Sequence, residues 1–217
     1  RYDKVKHSRN FPLDAINDCL KIAKLKIEDI DVISSGFDPQ KLITDLYLKP
    51  AINNRERINF LINDIEKIKN FHFLEKTIQK KLKVKKKIEF NNHHLCHLAS
   101  AYYPSGFQKS IVVSYDGTGE SESGAFAIAN KGKIKVLDCK NAYPNSFGLI
   151  YSAITFYLGW KPFCDEGIIM GLASYGDSSK KVKGTNKTYY DFFKDIICFN
   201  KKNPLNYEIN KEWIAYH

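Results

Sequence analysis

The clearest indication of the fold lies in residues 110–138, SIVVSYDGTGESESGAFAIANKGKIKVLD. Three segments alternate apolar and polar side chains with the period of two that is typical of half-buried strands, namely 110–115, 124–129 and 133–138. Turns that contain glycine separate them, DGTG at 116–119 and NKG at 130–132. The sequence therefore predicts an antiparallel three-stranded meander at 110–138.

Helical periodicity flanks this meander on both sides. Pro12 fits the first turn of a helix, and a strand pattern follows at 30–34. Apolar spacing predicts further helices at 58–68, 73–82, 93–103, 146–158 and 189–197, with a short strand at 87–90. Helices that alternate with strands indicate the α/β class.

The composition is that of a chain that forms a core. The 217 residues are 43% hydrophobic and 13% aromatic, which is too apolar for a disordered segment. The longest apolar runs fall far short of the ~20 residues that cross a bilayer, so we expect no membrane span. Five cysteines without paired spacing predict reduced thiols and a cytoplasmic protein. The chain begins at Arg1 without an initiator Met, which suggests a fragment.

Positive charge gives a first functional hypothesis. The net charge is +10, and the densest basic run lies between Lys80 and Lys87. A non-catalytic nucleic-acid-binding module could use such lysines to displace counterions from phosphates. The run lacks interleaved aromatic residues and any nucleic-acid-binding motif, which favours a solvated edge instead. We expect no nucleic-acid partner.

A pair of histidines gives a second hypothesis. His93 and His97 are four residues apart, so on a helix their β-carbons lie ~5–6 Å apart on one face, and one metal ion can take both. Asp116, at the end of the first meander strand, is the best-placed third ligand. His94 lies off this face. A surface pair or a packed pair of histidines explains the same spacing equally well.

The turn after the first meander strand is a candidate phosphate site. In Asp116-Gly117-Thr118-Gly119-Glu120, successive backbone N–H groups could cradle phosphate oxygens, and the carboxylates could hold a divalent cation such as Mg²⁺. An ordinary Asp-Gly hairpin turn explains the pattern slightly better. Crowding Asp116, Glu120 and Glu122 in one loop is easier to understand if a cation or ligand compensates their charge.

Taken together, these motifs resemble the O-carbamoyltransferases of the nodulation and antibiotic-biosynthesis type. Four ordered segments carry the resemblance, NHHLCHLASAYYPS at 92–105, DGTGE at 116–120, SFGLIY at 146–151 and EGIIMGLASYG at 166–176. Residues 37–87 and 177–217 add little. One position departs from the family pattern, because Ile168 stands where family members usually carry Lys.

The resemblance implies a fold and a reaction. The fold is the ASKHA architecture of actin-like ATPases, made of two RNase H-like halves. Residues 1–92 would be the remainder of the first half with a helical segment, and 93–217 the incomplete start of the second. A separate YrdC-like domain of the same chain would make carbamoyl adenylate from carbamoyl phosphate and ATP. The ASKHA domain would then transfer the carbamoyl group to a hydroxyl of a small molecule, so the fragment alone is expected to be inactive.

The resemblance also implies metal ligands, and the chemistry that the residues permit adds further site residues. His93, His97 and Asp116 would bind a divalent metal, Fe²⁺ or else Zn²⁺, with a further Asp from beyond this chain. The backbone of Gly117, Thr118 and Gly119 would orient the phosphate of the adenylate. Lys6 and Glu120 are the expected catalytic residues, with Lys6 neutralising charge that develops during transfer.

Two other assignments stay open at this point. An ASKHA small-molecule kinase would suit the acidic loop, although such kinases hold Mg²⁺ with oxygen ligands and imidazoles suit softer metals. A relative that modifies tRNA would combine carbamoyl chemistry with the basic charge. The histidine pair argues against the kinase, and only the basic charge supports the tRNA-modifying relative.

Overall fold

The computed structural model describes residue 4, residue 8, residues 10–137 and residues 141–210. The chain divides into two compact units, residues 1–93 and 94–217. Within the described ranges, no helix is both long enough and apolar enough to cross a membrane. Both units combine helices with strands, which confirms the predicted mixed α/β class.

The first unit is mostly helical, with one pair of strands. Its elements in chain order are helix α1 (Leu13–Ala23), a 3₁₀ helix (Ile27–Asp29), strand β1 (Val32–Ser35), helix α2 (Pro39–Leu42), a π-helix (Ile43–Leu48), helices α3 (Lys49–Asn53), α4 (Arg55–Asn63), α5 (Ile65–His72) and α6 (Leu74–Leu82), and strand β2 (Lys87–Phe90). β1 and β2 pair in parallel, with Val32 opposite Lys87 and Ser35 opposite Phe90. Parallel strands need a long crossover, and the intervening helices supply it.

Three predicted boundaries in this unit are corrected. Pro12 is the N-cap of α1 and lies before its first turn. The predicted strand at 30–34 starts only at Val32, because the chain first makes the 3₁₀ helix. The predicted helix at 58–68 is two helices, α4 and α5, that meet at Asp64, whose backbone leaves the helical region.

The core of the first unit centres on Tyr47, in a helical stretch that apolar spacing did not predict. Tyr47 is 1% exposed and stacks on Phe60 with 5.2 Å between ring centroids. Its hydroxyl donates to Asp64 Oδ2 at 2.6 Å, which ties the π-helix to the break between α4 and α5. Leu42 and Ile43 complete the buried cluster.

The second unit contains the predicted meander. Its elements are helix α7 (His93–Tyr102), a 3₁₀ helix (Tyr103–Ser105), strands β3 (Lys109–Tyr115), β4 (Gly124–Asn130) and β5 (Lys133–Val136), helices α8 (Phe147–Tyr157), α9 (Glu166–Ala173) and α10 (Tyr189–Lys194), and strands β6 (Ile197–Phe199) and β7 (Tyr207–Ile209). The order β3-β4-β5 is antiparallel throughout, as predicted, although β5 ends at Val136 and residues 138–140 lie outside the described part.

Helix α7 packs on one face of this sheet. Leu98 and Tyr102 point from α7 onto Val112 and the alanines of β4, and all of these residues are buried. Ala125, Ala127 and Ala129 carry small side chains, so the helix approaches the strands closely. Because Leu98 and Tyr102 set the rotation of α7 against the sheet, they also determine which α7 side chains face the end of β3.

The last elements differ in part from prediction. Ser146 caps α8 by accepting a hydrogen bond from Leu149 N at 3.1 Å, so the predicted helix at 146–158 is confirmed with shifted ends. The predicted helix at 189–197 ends at Lys194. Ile196 is 1% exposed and the chain then enters β6, because burying Ile196 with Ile150 and Tyr207 outweighs the helical pattern.

Candidate metal centre

Helix α7 presents two imidazoles in its first two turns, and the residue directly after β3 places a carboxylate beside them. One potential ligand atom from each of His93, His97 and Asp116 lies within 4.8 Å of the other two. Among the residues that the structure describes, this is the only group of three potential ligands so close together. The three predicted ligands are therefore adjacent in space.

The ring of His93 is held by the backbone that follows β1. Its Nδ1 lies 3.0 Å from the carbonyl oxygen of Gly36, and the ring meets that of Phe37 edge-on. A carbonyl oxygen can only accept, so Nδ1 carries the proton, and the lone pair of the neutral ring lies on Nε2. Histidines that bind metals commonly donate their other N–H to such a carbonyl.

His97 and Asp116 already face each other. Nε2 of His97 lies 3.3 Å from Oδ2 of Asp116, and their side chains are 48% and 38% exposed. The pair is thus held together by the fold and is still reachable from solvent. An ion can enter this position without disturbing the buried core.

Asp116 is held in place by hydrogen bonds on both sides. Its Oδ1 accepts from the Gly117 N–H at 2.6 Å, and its own N–H donates to the Ser123 carbonyl at 3.0 Å. The Ser146 hydroxyl lies 2.9 Å from the Asp116 carbonyl and 2.6 Å from that of Gly117, so its single proton is shared between them. The start of α8 is therefore bonded directly to the ligand loop.

His94 is the buried neighbour of the candidate ligands whose contacts the spacing did not predict. It does lie off the face of His93 and His97, as expected, but it is 1% exposed and both ring nitrogens are bonded. Nδ1 lies 2.9 Å from Ser114 Oγ, and Nε2 lies 3.0 Å from the Glu122 carbonyl. The only sequence signal for these contacts was a third histidine beside the i, i+4 pair, and that signal does not predict which residues His94 contacts.

The predicted phosphate loop is partly occupied by its own hydrogen bonds. The Gly117 N–H donates to Asp116 Oδ1, and the Gly119 N–H donates to the Glu122 carbonyl at 2.8 Å. Within the described chain, the Thr118 N–H donates to no protein acceptor. A Cβ added to Gly117 would meet nothing within 4 Å, so the surface beside Thr118 is open.

The two predicted catalytic residues and the departing position Ile168 differ in what the structure shows. Glu120 is 0% exposed, so a substrate could touch its carboxylate only after the loop rearranges, and its catalytic role stays a prediction. Lys6 lies outside the described residues. Ile168, the residue that departs from the family pattern, is 42% exposed on α9.

Glu166 stabilises the start of α9. Its Oε1 accepts from Ser152 Oγ at 2.7 Å and from the Phe163 N–H at 2.5 Å. Burial by itself would raise the pKa of Glu166, but the hydrogen bonds from Ser152 and from backbone N–H groups together hold that pKa below its ordinary value. These contacts give Glu166 a structural role at the start of α9.

The whole chain, residues 1–217, matches the family described as Carbamoyltransferase N-terminus. The chain belongs to this family. The resemblance that the four sequence motifs indicated is thereby confirmed.

Curated relatives of the Carbamoyltransferase N-terminus chain are much longer than it is. The uncharacterized protein sll1178 of Synechocystis sp. is 29% identical over 93% of this chain and 36% of its own length. Nodulation protein NolNO of Sinorhizobium fredii is 30% identical over 82% of this chain and 25% of its own length. Nodulation protein NolO of Bradyrhizobium diazoefficiens is 42% identical over 41% of this chain and 16% of its own length. The chain thus spans about a third or less of these relatives.

The donor set of this family member fits a borderline transition metal. Two imidazoles with one carboxylate suit Fe²⁺ or Zn²⁺, whereas Mg²⁺ prefers oxygen ligands alone. Bonds of ~2.0–2.2 Å keep the ligands of one ion roughly 3–4 Å apart. The observed spread of up to 4.8 Å therefore needs only small side-chain rotations to close on an ion.

Proposed function

We propose that this chain is the N-terminal part of an O-carbamoyltransferase. The complete protein would transfer a carbamoyl group from carbamoyl phosphate, by way of carbamoyl adenylate, to a hydroxyl of a small molecule. The observation that carries the proposal is the convergence of His93, His97 and Asp116 in a chain of the Carbamoyltransferase N-terminus family. The ASKHA fold and the YrdC-like domain that the resemblance implies belong to the same proposal.

His93, His97 and Asp116 would hold the metal ion. When bound, a divalent ion would supply Lewis-acid chemistry, because it would polarise the oxygens of the bond between the carbamoyl group and the phosphate of the adenylate. Nε2 of His93 is preset for this task by the bond from Nδ1 to the Gly36 carbonyl. Asp116 contributes the negative charge that two neutral imidazoles lack.

The loop beside the metal ligands would orient the phosphate of the donor. Thr118 is half-buried and offers an N–H and a hydroxyl, and Gly117 next to it leaves room for a ligand to approach. Backbone N–H groups in such turns bind phosphate oxygens without adding a charged side chain. Thr118 is therefore the residue of this loop most directly available to the donor.

A test uses the full-length protein with and without His97→Ala. The variant should lose bound iron or zinc and carbamoyl transfer, but keep the pyrophosphate exchange that carbamoyl phosphate and ATP support, because that step would belong to the YrdC-like domain. His72→Ala, on the exposed end of α5, is the matched control and should keep all three properties. Full transfer by His97→Ala with unchanged metal content would remove the metal role.

The same assay separates the transferase from a kinase. A kinase of this fold would phosphorylate an acceptor with ATP alone and show no exchange that depends on carbamoyl phosphate. Such a result would replace the transferase assignment. A panel of hydroxylated acceptors would then identify the substrate class in either case.

A further inference from the structure

His94 is the most completely bonded side chain next to the candidate metal ligands. It is buried between α7 and the end of β3, and neither ring nitrogen faces solvent. Its ring centroid lies 6.1 Å from that of His97. No step of the proposed reaction uses it.

The two partners of His94 define its tautomer. The Glu122 carbonyl can only accept, so Nε2 of His94 carries the proton and donates to it at 3.0 Å. In the neutral ring, Nδ1 must then accept, and the Ser114 hydroxyl donates to it at 2.9 Å. One side chain thereby bonds a strand and a loop at the same time.

These bonds lie directly beside the metal ligands on both elements. Ser114 lies in β3 two residues before Asp116, which directly follows the strand, and both side chains face α7, where Ser114 contacts His94 and Asp116 contacts His97. His94 precedes His97 by three residues on the helix, which makes them neighbours on its surface. The His94–Ser114 contact and the His97–Asp116 contact are thus adjacent cross-connections between the same two elements.

The second bond of His94 reaches the far side of the ligand loop. The Glu122 carbonyl also accepts from the Gly119 N–H at 2.8 Å, and the next residue, Ser123, accepts from the Asp116 N–H. His94 therefore fixes the loop that carries Asp116 at its beginning and near its end. Rotation of α7 or a shift of this loop would break one of the two bonds.

We infer that His94 is a positioning residue, which holds His97 and Asp116 at the separation that a metal ion requires. The inference rests on the proposed metal centre. A ligand pair that is ordered before the ion arrives loses less conformational entropy on binding. Changes to groups that hydrogen-bond the ligands themselves typically weaken metal binding by ~10–100-fold, and His94 acts one bond further out.

A role of His94 in packing alone can be distinguished from a role in positioning the candidate ligands. Leu98 and Tyr102 already provide the apolar contact between α7 and the sheet. If His94 only filled space, its replacement would lower the stability of the protein but leave the affinity of the folded protein for metal unchanged. The two roles therefore differ in metal affinity measured below the unfolding transition.

The experiment measures Co²⁺ affinity and the visible ligand-field spectrum of bound Co²⁺ on the full-length protein, using competition with a chelator. His94→Leu should weaken Co²⁺ binding by about 10-fold, the lower end of the range for direct partners of ligands, and change the spectrum. Ser114→Ala removes one of the same hydrogen bonds and should weaken it in the same direction. The fold loss of Co²⁺ affinity in the double variant should be smaller than the product of the two single losses, because both substitutions remove the same His94–Ser114 contact.

Tyr102→Phe is the matched control. Tyr102 lies at the other end of the same helix, is 5% exposed, and its hydroxyl bonds Gln108 and Gly132. The control should destabilise the same packing interface and keep Co²⁺ affinity within about twofold of wild type. Should His94→Leu not fold, Ser114→Ala decides the comparison.

The outcomes separate the two claims. Wild-type affinity and spectrum in folded His94→Leu and Ser114→Ala would overturn the positioning role and leave the metal centre standing. Absence of Co²⁺ binding by wild type would overturn both. Equal loss in Tyr102→Phe and Ser114→Ala would show that general loosening of α7, and not His94, accounts for the effect.

Discussion

Gly148 lies so close to Gly117 that a Cβ atom added to Gly148 would be 2.6 Å from the Gly117 nitrogen and 2.8 Å from the Asp116 carbonyl carbon. Real Cβ atoms essentially never come within 3.0 Å of another heavy atom, and here every close neighbour is backbone. Helix α8 can therefore start at this place only with glycine. The position of Asp116, a candidate metal ligand, therefore depends on a residue that has no side chain.

Replacing this glycine should damage both the fold and the metal site. Gly148→Ala forces α8 and the ligand loop apart, at a cost of about 1–3 kcal/mol or more in the free energy of unfolding. Because the displaced backbone is that of Asp116 and Gly117, metal affinity should fall as well. Urea unfolding and metal titration of the full-length variant measure the two effects.

Gly171→Ala provides the contrast within a neighbouring helix. A Cβ added there meets nothing within 4 Å among the described residues. Alanine in a helix interior is favoured over glycine by roughly 0.5–1 kcal/mol, so this change should be neutral or stabilising. Equal destabilisation by both substitutions would contradict the steric account.

The charge of Asp116 can be tested apart from its shape. Asp116→Asn keeps an oxygen that can accept from the Gly117 N–H but removes the negative charge beside His97. We expect metal affinity to drop by about 10-fold or more, with only a small change in stability. Asp195→Asn, which breaks the exposed ion pair with Lys187, is a control for the loss of a surface carboxylate and should leave metal binding unchanged. Unaltered affinity in Asp116→Asn would exclude this carboxylate as a ligand.

Glu166 should make stability depend on pH. Because its pKa is lower in the folded than in the unfolded protein, the folded state favours the ionised form. Its contribution is complete above the ordinary pKa of 4.5 and is lost as the pH falls through the lower, folded value. The stability difference between wild type and Glu166→Gln should therefore shrink as the pH is lowered below about 4.5.

Ser152→Ala is the companion measurement. It removes the side-chain hydrogen bond to Glu166, so the pKa of Glu166 should rise toward its ordinary value and the pH dependence should weaken. Urea unfolding between neutral and acidic pH follows both variants. An unchanged pH profile in Ser152→Ala would show that this bond does not stabilise the ionised carboxylate.

Substitutions in the basic run between Lys80 and Lys87 distinguish the transferase from a nucleic-acid-binding module. Two of its lysines have structural partners, since Lys86 donates to the Glu28 carbonyl at 2.7 Å and Lys87 pairs with Glu89 at 2.5 Å. Changing the exposed Lys80, Lys81 and Lys85 to Gln should leave carbamoyl transfer near normal. Strong RNA binding by wild type that falls steeply with salt and disappears in the triple variant would instead support a nucleic-acid module.

The elements that local pattern specifies were predicted well. The meander follows from period-two alternation and glycine turns, and the helix around His93 and His97 follows from apolar spacing that ends near Pro104. The adjacency of Asp116 to this helix needed only the assumption that β3 packs beside α7. These features depend on short-range sequence, which is why one sequence was enough.

The features that were missed depend on contacts between distant residues. The bonds from His94 to Ser114 and Glu122 span 20 and 28 positions, and no local spacing rule connects them. The helical stretch around Tyr47 carries prolines and short elements, so its burial and not its pattern defines it. The early end of α10 likewise follows from the burial of Ile196 in a core built by later strands.

The three candidate metal ligands, His93, His97 and Asp116, lie on helix α7 and directly after strand β3. Closing so short a loop costs little entropy, and the cost grows only with the logarithm of loop length. On the ribosome, this part of the polypeptide emerges well before residues near its carboxyl end. If these residues bind iron or zinc as proposed, metal supply during translation, and not only after release, would influence how much of the protein acquires the ion.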